Sequence, residues 1–356
     1  MSFLSKLFAP AERSVLGVDI GSSSLKVVQL KRERGAAVLE TYGELSLGPY
    51  AGAEVGQATD LPADKISETL RDLLRETKVT TNRCGVSIPF ARSLLTMVEL
   101  PYRESAAEQK TVIELEARKY VPVPINEVRL DWFIVPGSKL QSHNEKPTTV
   151  QVLLVAVHND ELTLLQETAQ GANLDVGFYE IEIFSTIRAV VDEPVKPVMV
   201  LDIGAASTKA YVVERGAIAF SHAISTGSQN VTRALAVGNN LTLSRAEALK
   251  KEIGVAQDTY DAPETVFSRV FSEARRVLEQ FETMHKKTID SIVLTGGGGV
   301  TKDLGTYAKS FFSIGVRVAD PFVKTEAPAF MRPVLERIGP EFAVAVGLAL
   351  RQLNEQ

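Results

Sequence analysis

Cysteine is nearly missing from this chain of 356 residues, which carries only Cys84. A single thiol cannot form a disulfide bond within the chain, and it cannot build a zinc site from cysteine ligands. The four histidines do not pair at the spacing of metal ligands: they are His143, His158, His222 and His285. The composition therefore excludes a disulfide scaffold and a zinc-finger-like protein, and it agrees with a reducing compartment.

Long apolar runs and an excess of positive charge are missing as well. No stretch of the sequence has enough consecutive apolar residues to cross a bilayer, so we expect no transmembrane helix. The 39 lysines and arginines are outnumbered by 44 aspartates and glutamates, which gives a net charge of −5. This balance argues against a general nucleic-acid-binding protein. We expect a cytoplasmic protein whose partners do not include nucleic acid.

The start of the chain is apolar but short. Phe3, Leu4, Leu7 and Phe8 fall on one helical face, a pattern too short for a signal peptide and without its cleavage signature. We expect an arm that packs on the domain or on a partner. A weak contact with a membrane surface is the alternative.

The rest of the composition is typical of a folded protein, with 45% hydrophobic and 23% charged residues. A chain of this length predicts two or three domains or one large composite fold. The clearest helix is predicted at 262–287, where apolar residues keep a period of 3.6. Asn159 is predicted to cap a helix that continues through Ala169.

Two segments of the chain repeat one another. Residues 16–26 read Leu-Gly-Val-Asp-Ile-Gly-Ser-Ser-Ser-Leu-Lys, and residues 199–209 read Met-Val-Leu-Asp-Ile-Gly-Ala-Ala-Ser-Thr-Lys. An offset of 183 residues superposes Asp19 on Asp202, Ile20 on Ile203, Gly21 on Gly204, Ser24 on Ser207 and Lys26 on Lys209. An alternating apolar run and an Arg-Gly turn follow each copy, so each half is predicted to open with a β-meander.

The small residues of these turns favour the binding of phosphate. Backbone N–H groups can converge on an anion where side chains are small, and serine hydroxyls add further donors. We predict phosphate contacts at Gly21, Ser22, Ser23, Ser24 and Lys26 of the first turn and at Gly204, Ala205, Ser207 and Lys209 of the second. Asp19 and Asp202 each end a strand, where a carboxylate can hold the waters of a Mg²⁺ ion. Two such turns that face each other would hold a polyphosphate between two domains.

A third glycine-rich segment follows a predicted strand in the second half. Residues 296–299 are four successive glycines, and a helix is predicted after them. Such a backbone can lie flat against a ligand, and we predict cofactor contacts at Gly296, Gly297 and Gly298.

In this order, the two acidic turns and the glycine loop resemble the actin/Hsp70/sugar-kinase superfamily of ATP-binding folds. The resemblance implies an α/β, actin-like (ribonuclease H-like) duplicated fold with ATP and Mg²⁺ as cofactors. It implies contacts of Glu247 and Lys250 with adenine or ribose. It also implies that Glu182 lies at the hinge and positions the attacking water, opposite a closely packed helix at 341–350.

An insertion narrows the resemblance. The elements predicted at 92–171 have the position and order of the inserted subdomain, 1C, of the FtsA branch. The implied division is 13–91, 172–196 and 331–356 for the first lobe (1A), 92–171 for 1C, 197–236 and 289–330 for the second lobe (2A), and 237–288 for a helical subdomain (2B).

Short phrases of the sequence resemble the PilM family of type IV pilus assembly proteins. They are Ser87-Ile88-Pro89, Glu99-Leu100-Pro101, residues 117–122 and Leu130-Asp131-Trp132. The polar residues 351–356 differ from the C-terminal amphipathic membrane helix of FtsA, which also favours PilM. A small-molecule kinase of the superfamily is disfavoured, because no third aspartate stands in a suitable loop.

The PilM resemblance implies a cytoplasmic ATP-binding component of the pilus machine. It would bind the N-terminal cytoplasmic tail of an inner-membrane PilN-like protein, in a groove between the first lobe and the inserted subdomain. The contact with the inner membrane would then be indirect. Pilus motor ATPases and other copies of the chain are further candidate partners. The alternative is an FtsA-like polymerising ATPase of cell division or the cytoskeleton.

Two departures from the superfamily bear on hydrolysis. The second turn has Ala205 and Ala206 where relatives carry further glycines, and their methyl groups are predicted to restrict the turn. Lys209 stands where relatives that hydrolyse ATP have an acid or a histidine, and an ammonium is a poor base. We expect tight binding of ATP with Mg²⁺ and slow or negligible turnover.

Overall fold

A computed structural model of the chain describes residues 14–135, 148–192, 196–255 and 260–355. The apolar arm predicted at Phe3–Phe8 lies outside these residues. The strands are β1 (Ser14–Ile20), β2 (Ser24–Glu33), β3 (Ala36–Ser46), β4 (Arg83–Ile88), β5 (Ser93–Pro101), β6 (Val128–Ile134), β7 (Thr149–His158), β8 (Asp175–Ile181), β9 (Val198–Ile203), β10 (Thr208–Glu214), β11 (Ala217–Ile224), β12 (Ser291–Thr295) and β13 (Gly315–Val318). The helices are α1 (Ala63–Glu76), α2 (Ala106–Ala117), α3 (Asn159–Gly171), α4 (Glu182–Val190), α5 (Gln229–Asn239), α6 (Leu243–Ile253), α7 (Asp261–His285), α8 (Leu304–Phe311), α9 (Arg332–Ile338) and α10 (Ala343–Asn354).

Two five-stranded sheets share one topology. The strand order is β3-β2-β1-β4-β8 in the first sheet and β11-β10-β9-β12-β13 in the second. In each, an antiparallel three-stranded meander is followed by two parallel strands. The register places Asp19 opposite Lys26 and Asp202 opposite Lys209. The duplication predicted from the repeat is therefore confirmed.

The second sheet has a core on each face, because alternate residues of a strand point to opposite sides. Met199 and Leu201 of β9 pack with α7, whose Phe267 and Phe271 are fully buried. Val200 between them belongs to the core of the first lobe. The two lobes are thus joined by continuous apolar packing.

The inserted segment forms a small antiparallel sheet of order β5-β7-β6. Helix α2 covers it with Ile113 and Ala117, which are buried against strand residues such as Val152. Helix α3 instead packs on α1: Leu165 lies in the core of the first sheet, and the Ser67 hydroxyl donates to the Thr168 carbonyl at 3.0 Å. The domain boundaries given by the resemblance stay predictions.

The prediction that Asn159 caps α3 is wrong. The helix includes Asn159, and the residue at the cap position is His158, whose side chain makes no capping hydrogen bond. The Asn159 amide donates instead to the Asn126 carbonyl at 2.8 Å, which ties α3 to the turn before β6. The Asn159 side chain, which has a local preference for capping a helix, is thus used in a tertiary contact.

Helices α4 and α10 cross at very short range. A Cβ atom added to Gly347 of α10 would lie 1.9 Å from the Ser185 carbonyl oxygen of α4. A Cβ added to Gly17 of β1 would lie 1.9 Å from the Ala345 carbonyl oxygen. Gly347, which belongs to the helix implied to pack closely at 341–350, is therefore required by this contact. This contact fixes the start of α4, where Glu182 lies.

Candidate functional site

A cleft of ≈ 620 Å³ lies between the two meanders. It is lined by every residue predicted for the site except Gly298, namely Asp19, Gly21, Ser22, Ser23, Ser24, Lys26, Glu182, Asp202, Gly204, Ala205, Ser207, Lys209, Glu247, Lys250, Gly296 and Gly297. Residues 19 and 202, which are far apart in sequence, share this cleft. The arrangement predicted from the repeat, two turns on opposite sides of one space, is present.

The first turn is held by its carbonyl groups. The Gly21 N–H donates to the Ser24 carbonyl at 3.1 Å, which closes the turn. The carbonyls of Ser22 and Ser23 accept from Thr59 at 2.8 Å and Leu47 at 2.9 Å. The N–H of a trans peptide points opposite to its carbonyl, so these contacts turn the next amide groups away from the supporting loop. This geometry favours an anion-binding turn.

The second turn closes with the same hydrogen bond, but the carbonyls that support it lie one position earlier in the repeat. The Gly204 N–H donates to the Ser207 carbonyl at 2.9 Å, and the carbonyls of Gly204 and Ala205 accept from Ser228 and Gln229 at the start of α5. Ala205 and Ala206 do not have positive φ angles. The hydrogen bond that closes this turn is the same as in the glycine- and serine-rich copy. The methyl groups do not prevent this closure, and the restriction of the turn predicted from the sequence stays a prediction.

Lys26 is the cation of the first turn. Its buried ammonium donates to the Ser24 hydroxyl at 2.7 Å and lies 3.0 Å from a Glu44 carboxylate oxygen. Burial opposes its charge, but Glu44 and Asp19 outweigh burial and raise the pKa of Lys26. Burial raises the pKa of Asp19 to about 6, although Lys26 opposes this rise. The Asp19 carboxylate also accepts from the Ser87 hydroxyl at 3.1 Å.

Lys209 is the cation of the second turn, and it contacts two carboxylates. Its ammonium lies 2.7 Å from Glu182 and 3.3 Å from Asp202. These acids outweigh the effect of burial and raise the pKa of Lys209. The other carboxylate oxygen of Glu182 accepts from the Phe90 N–H at 2.7 Å. The carboxylate implied to position water is thus held from two sides.

Glu247 and Lys250 lie side by side on α6. Lys250 is 2.7 Å from Glu247, and the Thr232 hydroxyl donates to the same carboxylate at 2.6 Å. Burial lowers the pKa of Lys250. The pair lines the cleft as the superfamily resemblance implies.

The glycine loop divides into two roles. Gly296 has φ +83, and an added Cβ would lie 2.3 Å from an Asp202 carboxylate oxygen, so both conformation and space require glycine. Its N–H donates to the Pro340 carbonyl at 2.9 Å, which links the lobes. Gly298 does not line the cleft: its N–H donates to the Ile203 carbonyl at 2.7 Å, and a Cβ would meet the Ile203 side chain. Gly298 packs against β9, and its predicted direct contact is not supported.

Sequence reasoning missed four acids that line the cleft, and two of them, Glu44 and Glu341, act on the charge of Lys26. Glu44 lies on β3 opposite Lys26, a position that the alternation of the meander could have revealed. Burial raises the pKa of Glu44, but Lys26 outweighs burial and the net shift is downward. Burial and the neighbouring Glu44 together raise the pKa of Glu341 to about 7. No local pattern of the sequence pointed to Glu341, because this residue lies near the end of the chain, far in sequence from both turns.

A loop of the first lobe also reaches the second across the cleft. The Glu54 carboxylate accepts from the Ser244 N–H at the start of α6 at 2.7 Å. Gly56 lines the cleft, and its added Cβ would lie 2.8 Å from the Glu247 side chain. A carboxylate at a helix N-terminus is stabilised by the helix dipole. The contact therefore favours a closed cleft.

We predict that Glu341→Gln raises thermal stability more at alkaline than at acidic pH. The pKa of Glu341 rises on folding from 4.5 to about 7. Its contribution to stability is therefore complete below pH 4.5 and is lost as pH rises through about 7. The variant should unfold at a higher temperature than the original chain at about pH 8, and the gain should shrink towards about pH 5.5. Glu336→Gln, an exposed change on α9, is the control; equal gains at both pH values would contradict the prediction.

The cleft offers Mg²⁺ the carboxylate oxygens of Asp19 and Asp202. Across the residues that the structure describes, no group of three or more His, Cys, Asp or Glu side chains is arranged to hold a metal ion. Oxygen ligands are those that Mg²⁺ prefers, and this ion commonly keeps several waters and uses one or two carboxylates plus phosphates. Asp19 and Asp202 therefore suit a Mg²⁺ ion that takes most of its ligands from phosphates and water.

No helix in the described parts of the chain combines the length and apolar character needed to cross a bilayer.

Comparisons with known proteins agree with the geometry. A family model described as "Type IV pilus assembly protein PilM" matches residues 17–353. The solved structure described as "PilM-PilN type IV pilus biogenesis complex" is similar with a TM-score of 0.81 and 26% sequence identity, over 95% of this chain and 98% of that chain.

A curated relative, the cell division protein FtsA of Neisseria meningitidis serogroup B, is 25% identical over 95% of this chain and 89% of its own length. The structure of MreB 5 of Spiroplasma citri bound to AMPPNP is similar in fold, with a TM-score of 0.53 and 12% identity over 97% of this chain and 98% of that chain. These likenesses confirm the predicted actin-like fold and its FtsA-like branch.

Proposed function

Because the chain belongs to the PilM family of type IV pilus assembly proteins, we propose that it is the ATP-binding component of a pilus assembly machine. It binds the N-terminal tail of a PilN-like inner-membrane protein on the cytoplasmic side and links that protein to the motor side. The structure described as a PilM-PilN complex supports this partner. Its contact with the inner membrane is then indirect.

ATP is the ligand that the cleft suits best. The observation that carries this proposal is the pair of equivalent turns, each closed by the same hydrogen bond and each beside a buried lysine. In the proposal the turns and lysines hold the phosphates, while Glu247 and Lys250 contact the nucleoside. Asp19 and Asp202 are the carboxylates that would hold Mg²⁺ through water.

Turnover of ATP is proposed to be slow or negligible. A general base must be free to approach the water it activates. Glu182 is held by Lys209 on one oxygen and by the Phe90 N–H on the other. ATP then acts mainly as a ligand that stabilises the closed cleft, by roughly 2.7 kcal/mol at a hundredfold excess over its Kd. A phosphate-release assay should detect little product, and several turnovers per minute without a partner would contradict the proposal.

The partner is tested directly with peptides. Synthetic N-terminal tails of inner-membrane pilus proteins, immobilised and exposed to the full chain with and without ATP, should retain it. A scrambled peptide of the same composition is the control. Failure of every genuine tail to retain more protein than its scrambled form would refute the assignment of partner. Pilus motor ATPases and other copies of the chain are further partners in this proposal.

An FtsA-like polymerising ATPase is the second candidate, because FtsA relatives align with nearly the whole chain. Sedimentation distinguishes the two candidates. ATP-dependent filaments that form without a partner peptide would favour polymerisation over the adaptor function.

A further inference from the structure

We propose that Lys209 is a built-in cation of the nucleotide site, so that the binding of a nucleoside triphosphate depends little on a divalent metal ion. The inference rests on the nucleotide site proposed above. It adds that the Lys209 ammonium balances part of the negative charge of the phosphates. It concerns Lys209, which follows the second turn on β10 and lines the cleft.

The position of the ammonium is fixed by three observations. It lies within 3.3 Å of Asp202 and 2.7 Å of Glu182, and those three side chains are largely buried. It is directly beside the second turn, since a Cβ added to Gly204 would lie 3.9 Å from it. The cross-strand register of Lys209 with Asp202 holds it there through the backbone of the hairpin.

A metal ion bound by Asp202 would have to share this space with a positive charge. The ammonium already pairs with that carboxylate, so a divalent ion gains less from it and is repelled by the lysine. A phosphate group, in contrast, gains from a nearby ammonium, because lysine binds phosphate as a point charge. The Lys209 ammonium therefore reduces what a metal ion can add to phosphate binding. Its own charge replaces part of the positive charge that the metal ion would supply.

The duplication provides an internal comparison. Lys26 occupies the equivalent place opposite Asp19, but its pairing acid is Glu44 on the neighbouring strand. Asp19 is bonded to the Ser87 hydroxyl and is not in an ion pair within the described residues. Lys209, by contrast, pairs with the aspartate of its own turn and with Glu182. The two copies therefore differ. In the second copy the lysine pairs with Asp202, the aspartate proposed to hold the metal ion.

The test measures ATP affinity by calorimetry, with Mg²⁺ and with EDTA. For the original chain, removal of Mg²⁺ should weaken binding by less than about threefold, whereas Lys209→Gln should become dependent on Mg²⁺ by about tenfold or more. Lys209→Arg keeps the charge and should keep the weak dependence on metal. Lys287→Gln, which removes a lysine that pairs with Glu214 at the surface of the same lobe, is the matched control.

The outcomes separate this inference from the proposed function. If the original chain loses affinity in EDTA as strongly as Lys209→Gln, the inference is wrong while the nucleotide site stands. If Lys209→Gln does not fold, the original chain and Lys209→Arg still decide the matter, because a strong metal dependence in either one overturns the inference. If no protein binds ATP in either buffer, both the inference and the nucleotide site are overturned.

Discussion

Replacing Lys26 with alanine is expected to weaken ATP binding by about thirtyfold or more, since truncation of a buried charge that pairs with a ligand costs about 2–5 kcal/mol. The ammonium donates to Ser24 of the first turn and is buried in the cleft. Its loss also removes a positive charge that acts on Glu44, Asp19 and Glu341. Phosphates would then enter a cleft with an excess of negative charge. Calorimetric titration with ATP measures the effect.

Lys31→Ala provides the matched control for this change. Lys31 lies on the same strand, β2, but is not among the residues that line the cleft. We expect its ATP affinity to equal that of the original chain. Thermal unfolding without ligand shows whether Lys26→Ala remains folded. A folded Lys26→Ala protein with unchanged affinity would exclude Lys26 from the phosphate site.

Replacing Gly347 with alanine is expected to destabilise the fold by about 3 kcal/mol or more. The added Cβ would lie 1.9 Å from the Ser185 carbonyl oxygen. The atom in conflict belongs to the backbone of α4, so no side-chain rotation relieves it and the two helices must separate. Because Glu182 begins α4, the displacement should reach the cleft as well. Urea denaturation of the purified variant measures the loss in the free energy of unfolding.

Gly238→Ala makes the same chemical change in another helix. No atom lies within 4 Å of the Cβ that it would add, and Gly238 does not have a positive φ angle. Alanine in a helix is favoured over glycine by about 0.5–1 kcal/mol, so this variant should be as stable as the original or slightly more so. If Gly347→Ala unfolds at the same urea concentration as Gly238→Ala, helices α4 and α10 do not require the close contact.

The sequence predicted those parts of the site that are local. An acidic residue, a glycine and a lysine at fixed spacing form a strand, a turn and the returning strand, so that Asp202 faces Lys209 whatever surrounds the hairpin. The 3.6-residue period of α7 likewise follows from which of its faces is buried. The repeat then implied two equivalent hairpins, and the resemblance to a superfamily indicated how they face each other.

Where the structure differs from a local expectation, a distant contact has changed the role of the feature. Asn159 has the chemistry of a helix cap, but its amide bonds to Asn126. Gly298 belongs to a run of glycines, but it packs on Ile203 rather than on the cleft.

By itself, the sequence determined the two hairpins, their acids and lysines, and the long periodic helix α7, because these depend on neighbours a few residues apart. The tertiary structure alone decided which charges meet across the cleft: Lys209 with Glu182, Glu341 near Glu44, and Glu54 with the start of α6. The physical reason is that such pairs join segments separated by many residues, and their energy depends on burial and distance that only the packed lobes define.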